Sequence, residues 1–286
     1  MVDFPVISAI WDFLKRLRKN LKGFFGFIIL IIFVIMGLFA DLIAPYDPNE
    51  IVAGERLQPP SLKHLFGTDQ YGRDIFSRVV HGARISIYVG LLSSIIALAL
   101  GTTMGLLAGY YRKYIDEAIS RVVDILLAFP ALLLAILVVT ILGPNLFNIC
   151  ISIGIVYTPQ FARIVRAGVL SVREKEFVHA AIVAGDRDLT IMFSEILPNT
   201  FAPLIVQTSI TFALAILTEA ALSFLGLGIP PPTPAWGSML YEARGYMEIA
   251  PWWTIAPGMA IFFAVLGFNM FGDGMRDILD PRLRIE

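Results

Sequence analysis

The sequence has few of the side chains that usually carry chemistry. Its one cysteine, Cys150, has no disulfide partner within the chain and is expected to be a small buried hydrophobe. The three histidines, His64, His81 and His179, form no pair with the spacing of metal ligands on one element. No lysine follows a glycine, which excludes a Walker A loop, and no pattern of nucleophile and base is apparent. We therefore expect no metal, no cofactor and no enzymatic activity in this chain alone.

Charged residues are also scarce. They make up 16% of the sequence, against 57% hydrophobic residues, and the mean hydropathy is +0.76. A helix needs roughly 20 apolar residues to cross a bilayer, whereas a large soluble helical core would show polar faces and shorter apolar runs. The sequence predicts an all-α integral membrane protein with six transmembrane helices. Its six charge-free runs are Phe24–Ala40, Ile85–Tyr110, Ile125–Leu142, Leu146–Ala162, Phe201–Thr218 and Trp252–Phe271.

The distribution of Lys and Arg predicts the orientation in the membrane. If the N-terminus is inside, 16 of the 22 Lys and Arg residues fall in inner segments, as the positive-inside rule requires. Both termini are therefore expected in the cytoplasm. A cleaved signal peptide is the alternative for the first run, but that run is longer than the usual hydrophobic region of a signal and no cleavage site stands out before Pro45.

A polar stretch between the fourth and fifth runs predicts a short cytoplasmic helix. Ser171 and Glu174 have the spacing of a capping box, in which the two side chains satisfy free amides at a helix start. Gly185 suits the left-handed residue that closes a helix. The predicted helix therefore covers residues 172–184, and it is expected to be presented to another molecule.

Three features of the predicted membrane helices are not explained by their apolar composition alone. Gly101, Gly105 and Gly109 follow one another at four-residue spacing, which favours close approach of a second helix from this chain or another. Glu219 lies next to the fifth run, where a structural hydrogen bond to a neighbouring loop is a stronger interpretation than a proton relay. Prolines near the ends of several runs are expected to kink helices, namely Pro130, Pro159, Pro203 and Pro257.

Two outer segments are large enough to have structure of their own. Residues 45–84 are rich in turn formers and charge, and residues 225–251 contain a proline-rich stretch followed by Trp252 and Trp253 at a membrane boundary. Each is either an ordered connection or a docking face or gate for an outer partner.

The polar stretch resembles the cytoplasmic "EAA" loop of type I ABC importer permeases. His179 stands where that motif usually has an acidic residue. The resemblance implies that the predicted helix is a coupling helix, and the residues that carry it are Glu176, Phe177, Ala180, Ala181, Gly185, Asp186, Leu197 and Pro198.

Three other stretches narrow the resemblance to the dipeptide/oligopeptide/nickel branch and to its second, C-type permease. They are the outer segment, the Glu219–Gly228 stretch with the prolines that follow it, and the C-terminal Gly272–Arg282 stretch. The outer-segment residues that match are Gly67, Thr68, Asp69, Gly72, Arg73, Asp74, Arg78 and Arg84.

This resemblance implies a domain plan. Residues 1–23 form a cytoplasmic segment, 24–44 the first transmembrane helix, and 45–84 the outer segment. A five-helix core of residues 85–272 contains the coupling helix 172–184, and residues 273–286 form a cytoplasmic tail.

The resemblance also implies the partners and the activity. The chain would pair with a second, homologous permease in the cytoplasmic membrane of a bacterium or archaeon, without nucleic acid. Two cytoplasmic ATPase subunits would bind ATP and Mg, and an extracytoplasmic binding protein would deliver substrate. The expected activity is import of di- or oligopeptides by alternating access.

Other functions stay open at this point. The same scaffold would serve for nickel chelates, glutathione or another small solute, and a channel or scaffold subunit would need no ATPase. A proton-driven carrier would place several ionisable residues near the midplane and show matching halves, and neither feature is found.

Overall fold

The structure is a computed structural model that describes residues 17–279. Predictions made for residues 1–16 and 280–286, which belong to the two terminal segments, lie outside this part of the chain. The described chain is helical, and the only β pairing within it is an isolated bridge between Thr68 and Asp74. This confirms the predicted all-α class.

The principal helices are α1 (Leu21–Leu38), α2 (Ile75–Tyr111), α3 (Lys113–Ala128), α4 (Ala131–Leu142), α5 (Leu146–Val172), α6 (Glu176–Ala184), α7 (Phe201–Phe224), α8 (Trp236–Ala243) and α9 (Pro251–Leu279). Short helical turns cover Ala40–Ile43 and Ala53–Glu55. Before α7 the chain passes through a turn of α-helix (Asp188–Thr190), a π-helical turn (Ile191–Ile196) and a 3-10 turn (Leu197–Thr200).

Within residues 17–279, five helical stretches are long and apolar enough to cross a membrane. They are α1, α2, α5, α9 and the continuous stretch from Asp188 to Phe224 that ends in α7. A sixth crossing is present if α3 and α4 are counted as one span. The structure therefore confirms a bundle of membrane-spanning helices.

The third predicted span is not a single helix. Its charge-free run is divided between α3 and α4, which meet at an angle of 99°. Phe129 has an extended backbone (φ −90°, ψ 138°), the conformation favoured before a proline. Pro130 has no amide proton, so it cannot continue the hydrogen bonds of α3. The 12 residues of α4 extend only about 18 Å, so this crossing needs part of α3 as well.

The predicted glycine ridge packs against a helix of the same chain. α2 and α5 form the most extensive helix pair in the described bundle. A Cβ on Gly105 would lie 2.6 Å from the carbonyl oxygen of Ala162, and one on Gly109 would lie 2.7 Å from Cβ of Val169. A Cβ on Gly101 would lie 2.4 Å from Cβ of Phe161 on α5. Only glycine lets the two backbones approach this closely.

A second glycine seam joins the first helix to the last. A Cβ on Gly23 would lie 2.9 Å from Cα of Gly274, and one on Gly26 would lie 2.8 Å from the carbonyl oxygen of Gly267. This seam could not be predicted from the sequence, because its glycines are distributed over two distant helices. α1 is therefore a packed part of the bundle.

α2 fixes the distance between two regions of the molecule. With 37 residues, it is about 55 Å long. At its first residue lies a region that we call the cap, consisting of residues 45–78 and α8. At its last residue lies the α6 end, consisting of α6, the adjoining ends of α2 and α5, and residues 185–200.

Candidate functional site

α6 begins later than the sequence predicts. It spans Glu176–Ala184, whereas Ser171 and Val172 form the last turn of α5. Lys175, at the N-terminal boundary, has an extended backbone, and no side chain caps the helix. The predicted capping box is therefore wrong, because α5 continues past Ser171 and leaves Glu174 in the turn between two helices.

Glu174 forms an ion pair instead. Its carboxylate accepts a hydrogen bond from the Arg112 guanidinium, which lies in the turn after α2. This bond holds the pKa of the Glu174 carboxyl below its usual value. Nearby, the Tyr110 hydroxyl donates to Asp188 Oδ1 at 2.8 Å, and the Arg173 guanidinium lies 5.3 Å from the Tyr110 ring centroid. These contacts join the ends of α2 and α5 to the segment after α6, and the sequence analysis did not find them.

Gly185 closes α6 in a left-handed conformation. Its φ is +85°, and its amide donates to the carbonyl oxygen of Ile182 at 3.1 Å. The amide of Asp186 donates to the carbonyl oxygen of Ala181 at 3.2 Å. These two bonds are those of a Schellman motif, which favours glycine because a side chain is strained at this φ.

One face of α6 is buried and the rest is exposed. Val178 is fully buried, and Ala181, three residues later, packs beside it on the core. Ala180 is exposed. The two alanines therefore differ in their surroundings, because Ala180 faces outward and Ala181 packs on the core. The exposed apolar side chains on and near α6 are Phe177, Ile182, Val183 (88% exposed), Leu189 and Phe193.

The other predicted coupling residues lie before and after this helix. Glu176 and Asp186 are exposed at the two ends of α6. Leu197 and Pro198 lie in the 3-10 turn that leads into α7, where Leu197 is half-buried and Pro198 is exposed. Buried Met192 and Ile196 hold the intervening turn on the core. The structure thus places the coupling residues on two elements joined by a packed turn.

At the opposite end of α2, the cap contains a buried ion-pair network. Arg73 Nε donates to Asp69 Oδ2 at 2.5 Å, and Arg73 Nη2 donates to Glu242 Oε2 at 2.6 Å. Asp69 Oδ1 also accepts from the backbone amides of Tyr71 and Arg73. Asp69 and Arg73 are buried. Residues far apart in the chain, in the outer segment and in α8, are thereby fixed to each other.

A histidine in the cap joins two further carboxylates. His64 Nδ1 lies 2.9 Å from Asp74 Oδ1, and His64 Nε2 lies 2.7 Å from Glu55 Oε2. Asp74 caps α2 by accepting from the amide of Ser77 at 2.7 Å. Glu55 also pairs with Lys63, and the Lys63 and His64 hydrogen bonds lower the pKa of the Glu55 carboxyl.

Most residues of the outer-segment motif belong to this cap. Gly67 (φ +75°) and Gly72 (φ +83°) are left-handed, and a Cβ on Gly67 would lie 2.7 Å from Nε1 of Trp252. The Thr68 hydroxyl accepts from the amide of Gln58 at 2.8 Å, and Arg78 donates to the carbonyl oxygen of Pro48. Arg84 lies apart from the network, because its guanidinium binds the carbonyl oxygen of Gly37 in α1 and Asp41 in the short turn that follows.

Glu219 is fully buried in α7. Its Oε1 accepts from the Ser223 hydroxyl at 2.6 Å, one turn further along the same helix. The expected partner in a neighbouring loop is therefore wrong. Among residues 17–279, no group of three or more His, Cys, Asp or Glu side chains is arranged to hold a metal ion.

Comparisons with known proteins place the chain in a family. Residues 101–285 match the family described as "Binding-protein-dependent transport system inner membrane component". Residues 8–60 match the family described as "N-terminal TM domain of oligopeptide transport permease C". Together the two matches cover 238 of the 286 residues, and residues 61–100 lie between them.

Individual relatives are named as permease proteins of peptide or glutathione transport systems. The dipeptide transport system permease protein DppC of Alkalihalophilus pseudofirmus is 49% identical over 99% of this chain and 93% of its own length. The di/tripeptide permease DppC of Pseudomonas aeruginosa is 45% identical over 97% of this chain and 93% of its own. The glutathione permease GsiD of Pectobacterium atrosepticum is 43% identical over 96% and 91%, respectively.

The fold has a relative among solved structures. An inward-facing structure of the MetNI methionine ABC transporter matches with a TM-score of 0.59, covering 72% of this chain and 98% of the other, at 18% identity. At that identity the match shows the fold alone. The two family matches and the long permease relatives go further, and the chain therefore belongs to the binding-protein-dependent transport system inner membrane components, as a C-type permease of an ABC importer.

Proposed function

We propose that this chain is the membrane-spanning subunit of an ATP-driven importer of di- and oligopeptides, coupled to separate ATPase subunits through α6. The observation that carries the proposal is the exposure of α6. Val183 is 88% exposed and Phe177 39% exposed on a helix whose opposite face is packed on the core. Apolar side chains held out in this way are typical of a surface that a partner covers.

The geometry around α6 supports a role in transmitting force. The Schellman motif at Gly185 fixes one end of the helix, and α5 leads directly into the other. The Arg112–Glu174 and Tyr110–Asp188 contacts bind the α6 end to α2. When α6 is pushed, the ends of the α2–α5 pair move with it.

The proposed assembly contains two permease chains, two ATPase subunits and a binding protein. The charge distribution favours α6 and both termini in the cytoplasm of a bacterial or archaeal cell. ATP and Mg would bind to the ATPase subunits. The cap would lie outside, where its internal ion pairs give a binding protein a rigid surface to meet. Closure of the ATPases would rock the permeases and alternate access to a path between them.

Peptides are the substrate class that the relatives favour. Two permeases of di- and tripeptide systems match at 49% and 45% identity. Glutathione is a second candidate, because permeases of glutathione systems match at 43% identity over 96% of the chain. Competition of a labelled dipeptide by unlabelled dipeptides and by glutathione, measured in the full assembly, separates these substrates.

The test uses the full assembly in proteoliposomes, with ATP hydrolysis and uptake measured in the presence of substrate-loaded binding protein. Gly185→Glu introduces a strained left-handed side chain and a charge into open space beside α6. Gly143→Glu is the matched control, because Gly143 is also left-handed (φ +87°) and faces open space but lies between α4 and α5, at the other end of α5 from α6. We expect Gly185→Glu to abolish stimulation and uptake while the two permeases still pair.

The control should stimulate and transport as the unmodified chain does. Wild-type stimulation and uptake in Gly185→Glu would contradict the proposed coupling role, because an ordinary connection tolerates a charge in open space.

A further inference from the structure

α3 is held to the bundle mainly by charge. Arg166 of α5 forms a two-pronged hydrogen bond with Asp116 of α3, from Nε to Oδ1 at 2.6 Å and from Nη2 to Oδ2 at 2.7 Å. The Ser120 hydroxyl also donates to Asp116 Oδ1 at 3.2 Å. A planar pair of this kind fixes both distance and angle between the helices that bear it.

Packing contributes little to the attachment of α3. Val123 is the one buried side chain of this 16-residue helix. A cavity of about 250 Å³ separates α3 from α2 and α5, and it is lined by Gly105, Ala108, Val123, Ala162, Arg163 and Arg166, among others. A helix beside a cavity is free to shift when its polar anchor moves, because it lacks the close packing that makes interiors rigid.

Two ion pairs join α3 to α5, and they differ in burial. Asp124 and Arg163 are 59% and 60% exposed, so solvent screens their pair and reduces its effect. Asp116 and Arg166 are 19% and 39% exposed and meet through two hydrogen bonds. The Asp116–Arg166 pair is therefore the stronger anchor.

This anchor lies between two parts of the molecule that are expected to move. On one side, Arg166 is less than two turns from the end of α5, where the chain leads into α6. On the other side, α3 ends at the 99° break before Pro130 and α4. α3 is thus a lever with its anchor near one end and the break at the other.

We propose that Asp116 and Arg166 are positioning residues that transmit movement of α6 to the break at Pro130, so that ATP hydrolysis is converted into opening of the path. This inference rests on the proposed importer function and adds the residues through which movement passes inside the chain. When α6 and the end of α5 shift, Arg166 carries Asp116 and α3 with it. The break allows α4 to change its angle while α2 and α5 keep their glycine seam.

The experiment measures substrate taken up per ATP hydrolysed, in proteoliposomes that contain the full assembly and loaded binding protein. Asp116→Asn removes the charge from the anchor with almost no change in shape. Glu117→Gln is the matched control, because Glu117 is the next residue of α3 and pairs only with Arg121 on the same exposed face. The double variant Asp116→Arg/Arg166→Asp restores a pair with the charges exchanged.

We expect Asp116→Asn to keep stimulated ATP hydrolysis within about twofold and to lower uptake per ATP by about tenfold, a typical strength of coupling between sites. Glu117→Gln should keep the wild-type ratio, and the charge exchange should recover most of it. A ratio unchanged in Asp116→Asn would overturn the inference. The inference would also be overturned if Asp116→Asn lost ATP hydrolysis and uptake in parallel and the charge exchange restored neither. That result is expected of a pair that only stabilises the fold.

Failure of the importer function itself gives a different result. In that case the unmodified assembly shows no stimulation of ATP hydrolysis by loaded binding protein. If the unmodified assembly shows normal stimulation and Asp116→Asn keeps the wild-type uptake per ATP, only the proposed role of Asp116 and Arg166 is wrong, and the importer function stands.

Discussion

The two ends of α2 are built in opposite ways. In the cap, Asp69, Arg73 and Asp74 are buried, and each has its hydrogen-bond partners within the chain. At the α6 end, Phe177 and Val183 stand exposed, and the Arg112–Glu174 pair is open to solvent. Asp69, Arg73 and Asp74 have their charges paired inside the cap, whereas the charged pair at the α6 end is exposed. The difference accords with our proposal that the cap is a rigid scaffold and that partner subunits cover α6.

The cap should therefore be the more sensitive end to loss of a charge. Arg73→Ala leaves Asp69 without its buried counter-charge and Glu242 with only the more distant Arg78, which costs about 3–5 kcal/mol of unfolding free energy. Arg84→Ala is the comparison, because Arg84 and Asp41 are 46% and 72% exposed and such pairs contribute about 1 kcal/mol or less. Thermal unfolding of the purified subunit in detergent measures both. Equal losses would show that the cap network is not a scaffold.

The glycine seam between α2 and α5 connects the two ends and should come next in effect. Gly105→Val forces a side chain against the carbonyl oxygen of Ala162, 2.6 Å from the new Cβ, and overpacking of this kind costs about 1–3 kcal/mol. Gly258→Val on α9 meets no atom within 4 Å and is the control. The same unfolding measurement applies. A stable Gly105→Val variant would mean that the helices separate easily and that the ends are not rigidly joined.

Acid should affect the cap by a smaller amount and with a definite sign. Hydrogen bonds from Lys63 and His64 lower the pKa of the Glu55 carboxyl from 4.5 in the folded protein. Its contribution to stability is therefore complete above pH 4.5 and is lost as the pH falls through the lower, folded value. Glu55→Gln should flatten the dependence of the unfolding temperature on pH below 4.5. If the unfolding temperature of Glu55→Gln fell with acid below pH 4.5 as steeply as that of the unmodified subunit, Glu55 would not stabilise the cap.

Five of the predicted spans could be recognised because each contains a long run without charge, whereas the third is broken at Pro130. The end of α6 could be predicted as well, because Gly185 is the residue type that a left-handed helix end favours. Its start was predicted wrongly. The spacing of Ser171 and Glu174 also fits the last turn of a long helix, and only the packing of Val172 and Val178 on the core decides between the two.

The ion pairs between separate helices and loops could not be predicted, because they join residues that are distant in sequence. Arg73 meets Glu242 across 169 residues, and Arg166 meets Asp116 across 50. In the sequence, Arg166 contributes only to the excess of positive charge on one side of the membrane. The motif residues Asp69 and Arg73 could be recognised by type and spacing, but their partner on α8 depends on how the loops fold together.

The most direct test of the account uses Val183. Because its side chain is 88% exposed, Val183→Glu should change the unfolding free energy of the subunit by no more than about 0.5 kcal/mol. Leu62→Glu, at a fully exposed leucine of the cap, is the matched control. We predict that Val183→Glu lowers co-purification of the ATPase subunits by about tenfold or more, whereas Leu62→Glu leaves it unchanged. Full retention of the ATPase subunits by Val183→Glu would contradict the claim that α6 is the surface they cover.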